Sequence, residues 1–287
     1  MKKELNIKKS SGKTAIFSEE KLRNSLKRVG ATPDQIDSVI TEISDKLHDG
    51  ITTKKIYRMA FSLLKESSRH IAAKYHLKQA IMELGPSGFP FETFVGEILS
   101  AQNYSTQVGV TVEGKCVSHE IDVIAKREHI QLMVECKYHN LAGTFCDVKI
   151  PLYIHARFND VSYVWKQSSD SLHYQGWLVT NTRFSSDAIQ YGTCAGLKLI
   201  GWDYPEQESL KALIDKLSLY PVTCLTSLTR SEKQWLLDRR IVLCKEMYNN
   251  DQLLKQMEIK PSRMNIIRQE IHQLCKSIEN MEKTKTV

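Results

Sequence analysis

Two acids and a lysine are the residues of this chain best suited to chemistry: Asp122, followed by Glu135 and Lys137. Ile121, Val123 and Ile124 form one β-branched run and Leu132, Met133 and Val134 another. The turn-like Lys126-Arg127-Glu128-His129 separates them, which predicts a hairpin of two buried strands. With the turn centred between Glu128 and His129, antiparallel pairing sets Asp122 across from Glu135, their Cβ atoms roughly 5 Å apart. Side chains alternate along a strand, so Lys137 shares the face of Glu135 while Cys136 points into the core. Carboxylates this close raise one another's pKa unless a divalent cation or an ammonium neutralises them. Hard oxygen donors favour Mg²⁺ or Mn²⁺ over zinc. Asp122 and Glu135 are thus candidate metal ligands, with Lys137 beside them. The bland alternative is a weak surface ion pair between Glu135 and Lys137. The apolar flanks weigh against it, because ionisable groups at the end of a buried strand are costly to keep there without a task.

The neighbouring elements must hold these groups in place. Gly88-Phe89-Pro90-Phe91-Glu92 opens a helix whose face is Phe91, Phe94, Val95, Ile98 and Leu99. Glu92 has two readings, an acid leaning towards the site or a first-turn acid favoured by the helix dipole. Tyr104, Val108, Val110 and Val112 alternate as the strand before the hairpin, and a helix is expected around Pro151 to Phe158, with Pro151 in its first turn. His139, next to the site, reads as a base or as a residue that packs or touches phosphate. His119 points away from Asp122 on a regular strand. Tyr174-Gln175-Gly176 precedes a strand at Trp177-Leu178-Val179, and Leu197 to Gly201 supplies the last strand. Arg183, at the mouth of the former, either reaches phosphate or fixes its loop.

Asp122 with Glu135-x-Lys137 resembles the bipartite signature of the PD-(D/E)xK nuclease superfamily, and its surroundings are similar to the Mrr-type restriction endonuclease branch. The helix opening at Gly88, the Thr180 to Ala188 segment with its Phe184-Ser185-x-x-Ala188 turn, and the final strand follow in that branch's order over about 120 residues. Ile121 stands where the superfamily name has Pro. The resemblance implies an α/β/α core and Mg²⁺- or Mn²⁺-dependent hydrolysis of phosphodiesters in double-stranded DNA. It assigns catalysis to Asp122, Glu135 and Lys137, with Glu92 as a fourth candidate, and suggests restriction or phage defence as the setting.

Upstream, residues 3 to 17 read as a hairpin that turns at Ser10-Ser11-Gly12. A helix capped by Ser18 follows, with Leu22, Leu26 and Val29 on one face; Pro33 opens another, carrying Ile36, Val39, Ile40, Ile43 and Leu47. A third begins at Thr52 or Thr53, and a helix runs from Arg69 to Leu84. Ile7, Lys9, Gly12, Phe17, Lys21, Leu22 and Asp49-Gly50-Ile51-x-Thr53 resemble the ATP-cone, an adenine-nucleotide-sensing module, with Ser10-Ser11 where Arg-Asp is usual. The resemblance implies ATP or dATP as a regulatory ligand. It makes Lys9 and Lys21 the phosphate contacts and Thr53 a cap or nucleotide contact, an ammonium being a compact phosphate partner. The alternative is a cone that only mediates assembly.

The last third is expected to be helical from Glu206, broken at Pro221 and continuing from Leu225 to Met247, with a final helix from Ile266 to Ile278. The run from Leu225 to Ile241 is similar to a helix-hairpin-helix, with Arg239-Arg240 where a Gly is normal; DNA contact and plain helical assembly both remain open. The chain carries 40 Lys/Arg against 33 Asp/Glu, a net +7. Residues 81 to 205 are net acidic and the flanks basic, which suits modules that attract phosphate around an acidic metal site. Seven scattered cysteines without a C-x-x-C suggest neither disulfides nor a zinc ribbon. Without a membrane-length apolar run or a signal-peptide core, the expected location is the cytoplasm.

These observations predict an α/β multidomain chain: an ATP-cone-like domain at 1–84, an Mrr-like nuclease core at 85–205 and a helical C-terminal domain at 206–287. Its expected activity is that of a nucleotide-regulated, homo-oligomeric DNA endonuclease away from any membrane. The rivals are a non-catalytic, nucleotide-controlled DNA-binding regulator and a repair or junction-resolving nuclease.

Overall fold

The computed structural model describes residues 5–9, 12–141, 143–169, 171–248 and 250–285, with side chains to residue 275. The expected turn at Ser10-Ser11 lies outside the described residues. Strands β1 (Asn6–Lys8) and β2 (Thr14–Ile16) pair antiparallel, and helix α1 (Glu19–Arg28) follows, capped by the Ser18 hydroxyl. Helix α2 (Pro33–Ser44) starts with a reciprocal Thr32–Gln35 capping box. It stops before Leu47, which packs on the same core from outside the helix.

A two-residue strand β3 (Ile51–Thr52) pairs parallel to β1, so the expected hairpin is a three-stranded sheet ordered β2-β1-β3. Thr52 caps helix α3 (Thr53–Ser67), which leaves Thr53 as its first residue. The single helix expected over 69–84 is two, α4 (Arg69–Tyr75) and α5 (Leu77–Met82), broken at His76. His76 Nδ1 shares a 2.7 Å hydrogen bond with the Tyr57 hydroxyl, a tertiary contact that periodicity does not reveal.

Helix α6 (Phe89–Ser100) follows, then the meander β4 (Ser105–Glu113), β5 (Ser118–Arg127) and β6 (Ile130–Lys137). After the short β7 (Phe145–Cys146), helix α7 runs over Lys149–Ser168, well past its expected end at Phe158. Strand β8 (His173–Thr180) begins at the residues expected only to precede it. Next come β9 (Arg183–Phe184), α8 (Ser186–Cys194) and β10 (Lys198–Ile200). The five-stranded sheet has the order β10-β8-β6-β5-β4, antiparallel on the β4 side and parallel from β6 to β10. α6 covers one face through Phe91, Phe94 and Val95; α7 and α8 cover the other through Ile154, Val161 and Ala188. This is the expected α/β/α sandwich, polar backbone buried by hydrogen bonding and both faces apolar.

The C-terminal helices are α9 (Leu210–Leu217), α10 (Arg230–Leu237), α11 (Asp251–Gln256) and α12 (Pro261–Lys285). Residues 225–247 do not form the expected helix. α10 is flanked by 3₁₀ turns at 222–224 and 244–247, with Pro221 bridged to Leu243. No helix partner follows Arg239-Arg240, which stack on Trp235 and Phe89, so a helix-hairpin-helix is not formed there. Leu225, Leu236, Leu243, Ile267 and Ile271 share one core with α5, α6 and the α6 face of the sheet. Among the described residues no helix is long and apolar enough to cross a membrane.

One ion pair ties α12 to α10. Arg263 donates to both oxygens of Glu232, at 2.7 and 2.8 Å, and to Ser227 O. The Arg263 hydrogen bonds hold Glu232 down at about 2, below its ordinary 4.5. A depressed carboxylate pKa stabilises the fold above the unfolded value and loses that contribution as pH falls through the folded one. Arg263→Met should therefore destabilise by on the order of 1 kcal/mol at neutral pH, after solvent screening. In thermal melts the gap from the parent should close between pH 4.5 and about 2.

Candidate active site

β5 and β6 pair as Val123↔Val134 through Arg127↔Ile130, with Glu128 taking φ 48° in the two-residue turn. Continuing that register sets Asp122 opposite Glu135, as the sequence predicts. Strand alternation fails at Asp122, however. Ile121 packs on the α7 face with Met133, whereas Val123, two residues on, packs on the α6 face with Val134. Opposite this switch on β4, between the pairs Val108↔Val123 and Val110↔Ile121, Gly109 has φ +66°, a left-handed conformation that glycine adopts without strain. Asp122 thus sits at a local distortion, its Oδ2 accepting a 2.6 Å bond from the Cys136 amide.

Glu135 is 6% exposed and leans towards α7, where Arg157 Nη1 donates to its Oε2 at 2.6 Å. Its Oε1 is buried and has no hydrogen-bond partner. Arg157 also donates to Glu120 O and, at 3.4 Å, to His119 Nδ1. Because Nδ1 accepts, the proton of neutral His119 lies on Nε2, which donates to Asp160 Oδ2 at 2.8 Å. The His119 bond, reinforced by the Cys116 and Val117 amides, holds Asp160 at about 2. Gly114 lets this acid approach: a Cβ there would lie 2.1 Å from Asp160 Oδ2. An Asp160–His119–Arg157 chain therefore buttresses Glu135.

Electrostatics gather Glu92, Asp122 and Glu135. Burial raises the pKa of all three, and their mutual repulsion adds to it: Asp122 raises Glu135 and Glu92, and Glu92 raises Glu135. Glu92 is pushed up to about 7, which favours the reading in which it leans towards the site. Arg157 and Lys137 oppose the shift at Asp122 without cancelling it. Lys137 is exposed at the end of β6, with its carbonyl held by the Thr180 hydroxyl at 2.7 Å. The cluster is short of positive charge.

Among the described residues no three His, Cys, Asp or Glu side chains form a metal-binding group. Mg²⁺ needs fewer protein ligands, since one or two carboxylates with water and substrate phosphate commonly hold it. Asp122 and the orphaned Oε1 of Glu135 fit that requirement. His139 faces elsewhere: its Nε2 lies 3.3 Å from Cys146 Sγ, and Asn181 clamps its backbone through bonds to both N and O.

Arg157 and Asn181 are the residues that sequence reading missed. Arg157 lies on a helix whose expected end was one residue further on, and its i,i+3 neighbour Asp160 was the available signal.

Lys9, Lys21 and Thr53 do come together. They line a cleft of ≈ 320 Å³ with Ile7, Phe17 and Tyr57, between the three-stranded sheet and helices α1 and α3.

Comparison with known proteins agrees with this division. The ATP cone domain family matches residues 5–80, and the family described as AF1548-like, C-terminal, matches residues 220–275. An uncharacterized protein of Archaeoglobus fulgidus is 40% identical over 131 residues, 46% of this chain and 71% of that protein. The crystal structure of the protein of unknown function AF1548 superposes with TM-score 0.54 at 30% identity, covering 67% of this chain and all of that one. MspJI restriction endonuclease in complex with a 27-mer oligonucleotide gives TM-score 0.33 at 10% identity, over 68% of this chain and 39% of that one.

Proposed function

Because the chain belongs to the AF1548-like family and carries an ATP cone, we propose that it is a metal-dependent DNA endonuclease regulated by adenine nucleotide. The observation that carries this reading is the buried, unpartnered Oε1 of Glu135 beside Asp122 and Glu92, three acids with too little positive charge around them. Asp122 and Glu135 would hold Mg²⁺ or Mn²⁺. When bound, the ion puts positive charge on the scissile phosphate and makes its water more acidic. Arg157 fixes the Oε2 of Glu135 and so aims Oε1. Lys137, within electrostatic reach of Asp122, orients the attacking water or stabilises the charge that develops on the phosphate. Glu92, near neutrality, is suited to take the water's proton on its carboxylate. Restriction or phage defence is the proposed setting. The direct experiment is nicking of supercoiled plasmid in Mg²⁺, with EDTA as control; a parent protein that never cuts, with any nucleotide present, overturns the reading.

A second reading, a nucleotide-controlled DNA-binding regulator, is favoured by one observation: Arg157 already neutralises one oxygen of Glu135. Duplex binding without cleavage under all conditions would support it. A branched-junction substrate cut in preference to plain duplex would point instead to repair.

The cone's cleft supports the regulatory part, with two ammonium groups on a pocket walled by Phe17 and Tyr57. Lys9→Ala and Lys21→Ala should each weaken ATP or dATP binding about 10-fold or more by calorimetry, since a charge-assisted phosphate contact is worth roughly 1.5 to 3 kcal/mol. Nucleotide should also change the oligomeric mass seen by mass photometry, by its differential affinity for the two states. Unchanged affinity in both variants removes the proposed phosphate contacts.

A further inference from the structure

A second cluster of cations lies outside both sites. Arg28 of α1, Lys74 of α4, Lys78 of α5 and Lys211 of α9 line a cleft of ≈ 790 Å³ between the cone's helices and the end of β10. Among the described residues none of the four has an acid within ion-pair distance. Aromatic rings support two of them: Lys74 lies 5.6 Å from the Tyr220 ring centroid and Lys78 5.6 Å from that of Trp202. Asp203 and Glu206 also line the cleft but are exposed. Burial holds the Lys211 ammonium below the ordinary lysine range, and Arg28 adds repulsion. Like charges are gathered here with little to offset them.

Topology aligns this cleft with the carboxylates. β6, β8 and β10 are parallel, so Lys137, Thr180 and Ile200 end at the same edge of the sheet. Trp202 N donates to Thr182 O at 2.7 Å, and Lys211 N to Trp202 O at 3.3 Å, fixing the cleft to that edge. Two strand spacings separate β6 from β10, roughly 10 Å. A DNA strand advances about 3.4 Å per phosphate along the axis, so this is about three nucleotides. Arg183, at the start of β9, has a charge that reaches Lys78.

We propose that this cleft seats the phosphates of double-stranded DNA about three nucleotides from the carboxylate site, an extension that rests on the nuclease reading. Four separated single charges match a string of singly charged phosphodiesters better than the concentrated charge of a free triphosphate. The cleft also joins cone to core, so DNA held there touches both.

The test is fluorescence anisotropy with the full-length chain and a short labelled duplex in EDTA, from about 50 to 200 mM salt. The Lys74→Gln/Lys78→Gln/Lys211→Gln protein should show a log K against log salt slope shallower by about 2 to 3, and binding at least ~10-fold weaker at the midpoint. Glu206→Lys, at an exposed position that does not endanger folding, should steepen the slope by about 1, and it decides the matter if the triple variant melts early. Unchanged slopes in both proteins overturn the proposal, as does a triple variant that loses ATP but keeps its duplex slope. Plasmid cleavage separates the two readings. A parent that binds duplex through these lysines yet never cuts refutes the nuclease and keeps the cleft; a triple variant that binds and cuts like the parent refutes only the cleft.

Discussion

Supercoiled plasmid incubated with the Asp122→Asn protein in Mg²⁺ is expected to stay uncut, with the rate down by about 10³-fold or more. Asparagine keeps an oxygen that can accept the Cys136 amide bond, 2.6 Å in the parent, so the distorted strand keeps its shape. What disappears is the negative charge. A neutral amide is a poor ligand for a hard divalent cation, and each tenfold of rate is worth about 1.4 kcal/mol, so losing one of two charged ligands easily exceeds 4 kcal/mol in the transition state. Removing this buried charge also relieves Glu135 and Glu92, both of which Asp122 raises, so thermal stability should hold or rise. The combination of an intact melt, intact duplex binding in EDTA and absent cleavage is the signature to look for. Cleavage at the parental rate would remove Asp122 from the site.

A stability effect of comparable size is expected far from this chemistry. Glu270 of α12 is 1% exposed and accepts from the Thr226 amide at 2.8 Å, the Ser227 amide at 3.0 Å and the Ser227 hydroxyl. These amides lie in the irregular segment before α10, where no helix or sheet can take them. Glu270→Ala would orphan three donors at once and should destabilise by about 3 to 5 kcal/mol. For a chain of this size that is a fall of roughly 6 to 15 °C in Tm. Glu270→Gln, which keeps one acceptor oxygen, should lose about half as much. A melt unchanged in the alanine variant would mean that the segment finds other partners.

The hairpin was legible because its two apolar runs and polar turn fix the register arithmetically, and the observed pairing continues to Asp122 opposite Glu135. The face switch at Asp122 was not legible, since strand periodicity assumes a regular pleat and the cause, Gly109, lies on another strand. Arg157 escaped for the same reason: it reaches Glu135 across 22 residues of chain, through a helix longer than its apolar spacing suggested. The break at His76 interrupts a pattern that stays helical on paper, because a hydrogen bond to Tyr57 is a tertiary fact. From Leu225 to Met247 the apolar residues are so dense that Leu225, Leu228, Leu236, Leu237, Val242 and Leu243 all bury, and periodicity cannot separate a helix from an irregular buried segment. The cone was legible through short-range signals, the caps at Ser18 and Thr52 and the glycine turns.

Helix α4 has a consequence for how such chains can diverge. Ile71 and Ala72 pack into the cone's core, while Ala73 and, in α5, Leu77 and Ala80 pack into the core shared by the sheet and the C-terminal helices. The hand-over falls inside a helix, upstream of Gly85-Pro86, with no linker to absorb a change of length. Beyond it the connector is stitched to the catalytic strand's exit: the Tyr138 hydroxyl donates to Met82 O at 2.7 Å, and Asn140 Nδ2 to Pro86 O at 3.3 Å. One residue inserted between Ala72 and Leu77 would rotate everything after it by about 100° relative to the cone. Insertions and deletions should therefore be purged from this stretch among descendants. A lineage exchanging its cone for another would have to cross over at a conserved helical phase and could not join the parts at an arbitrary seam.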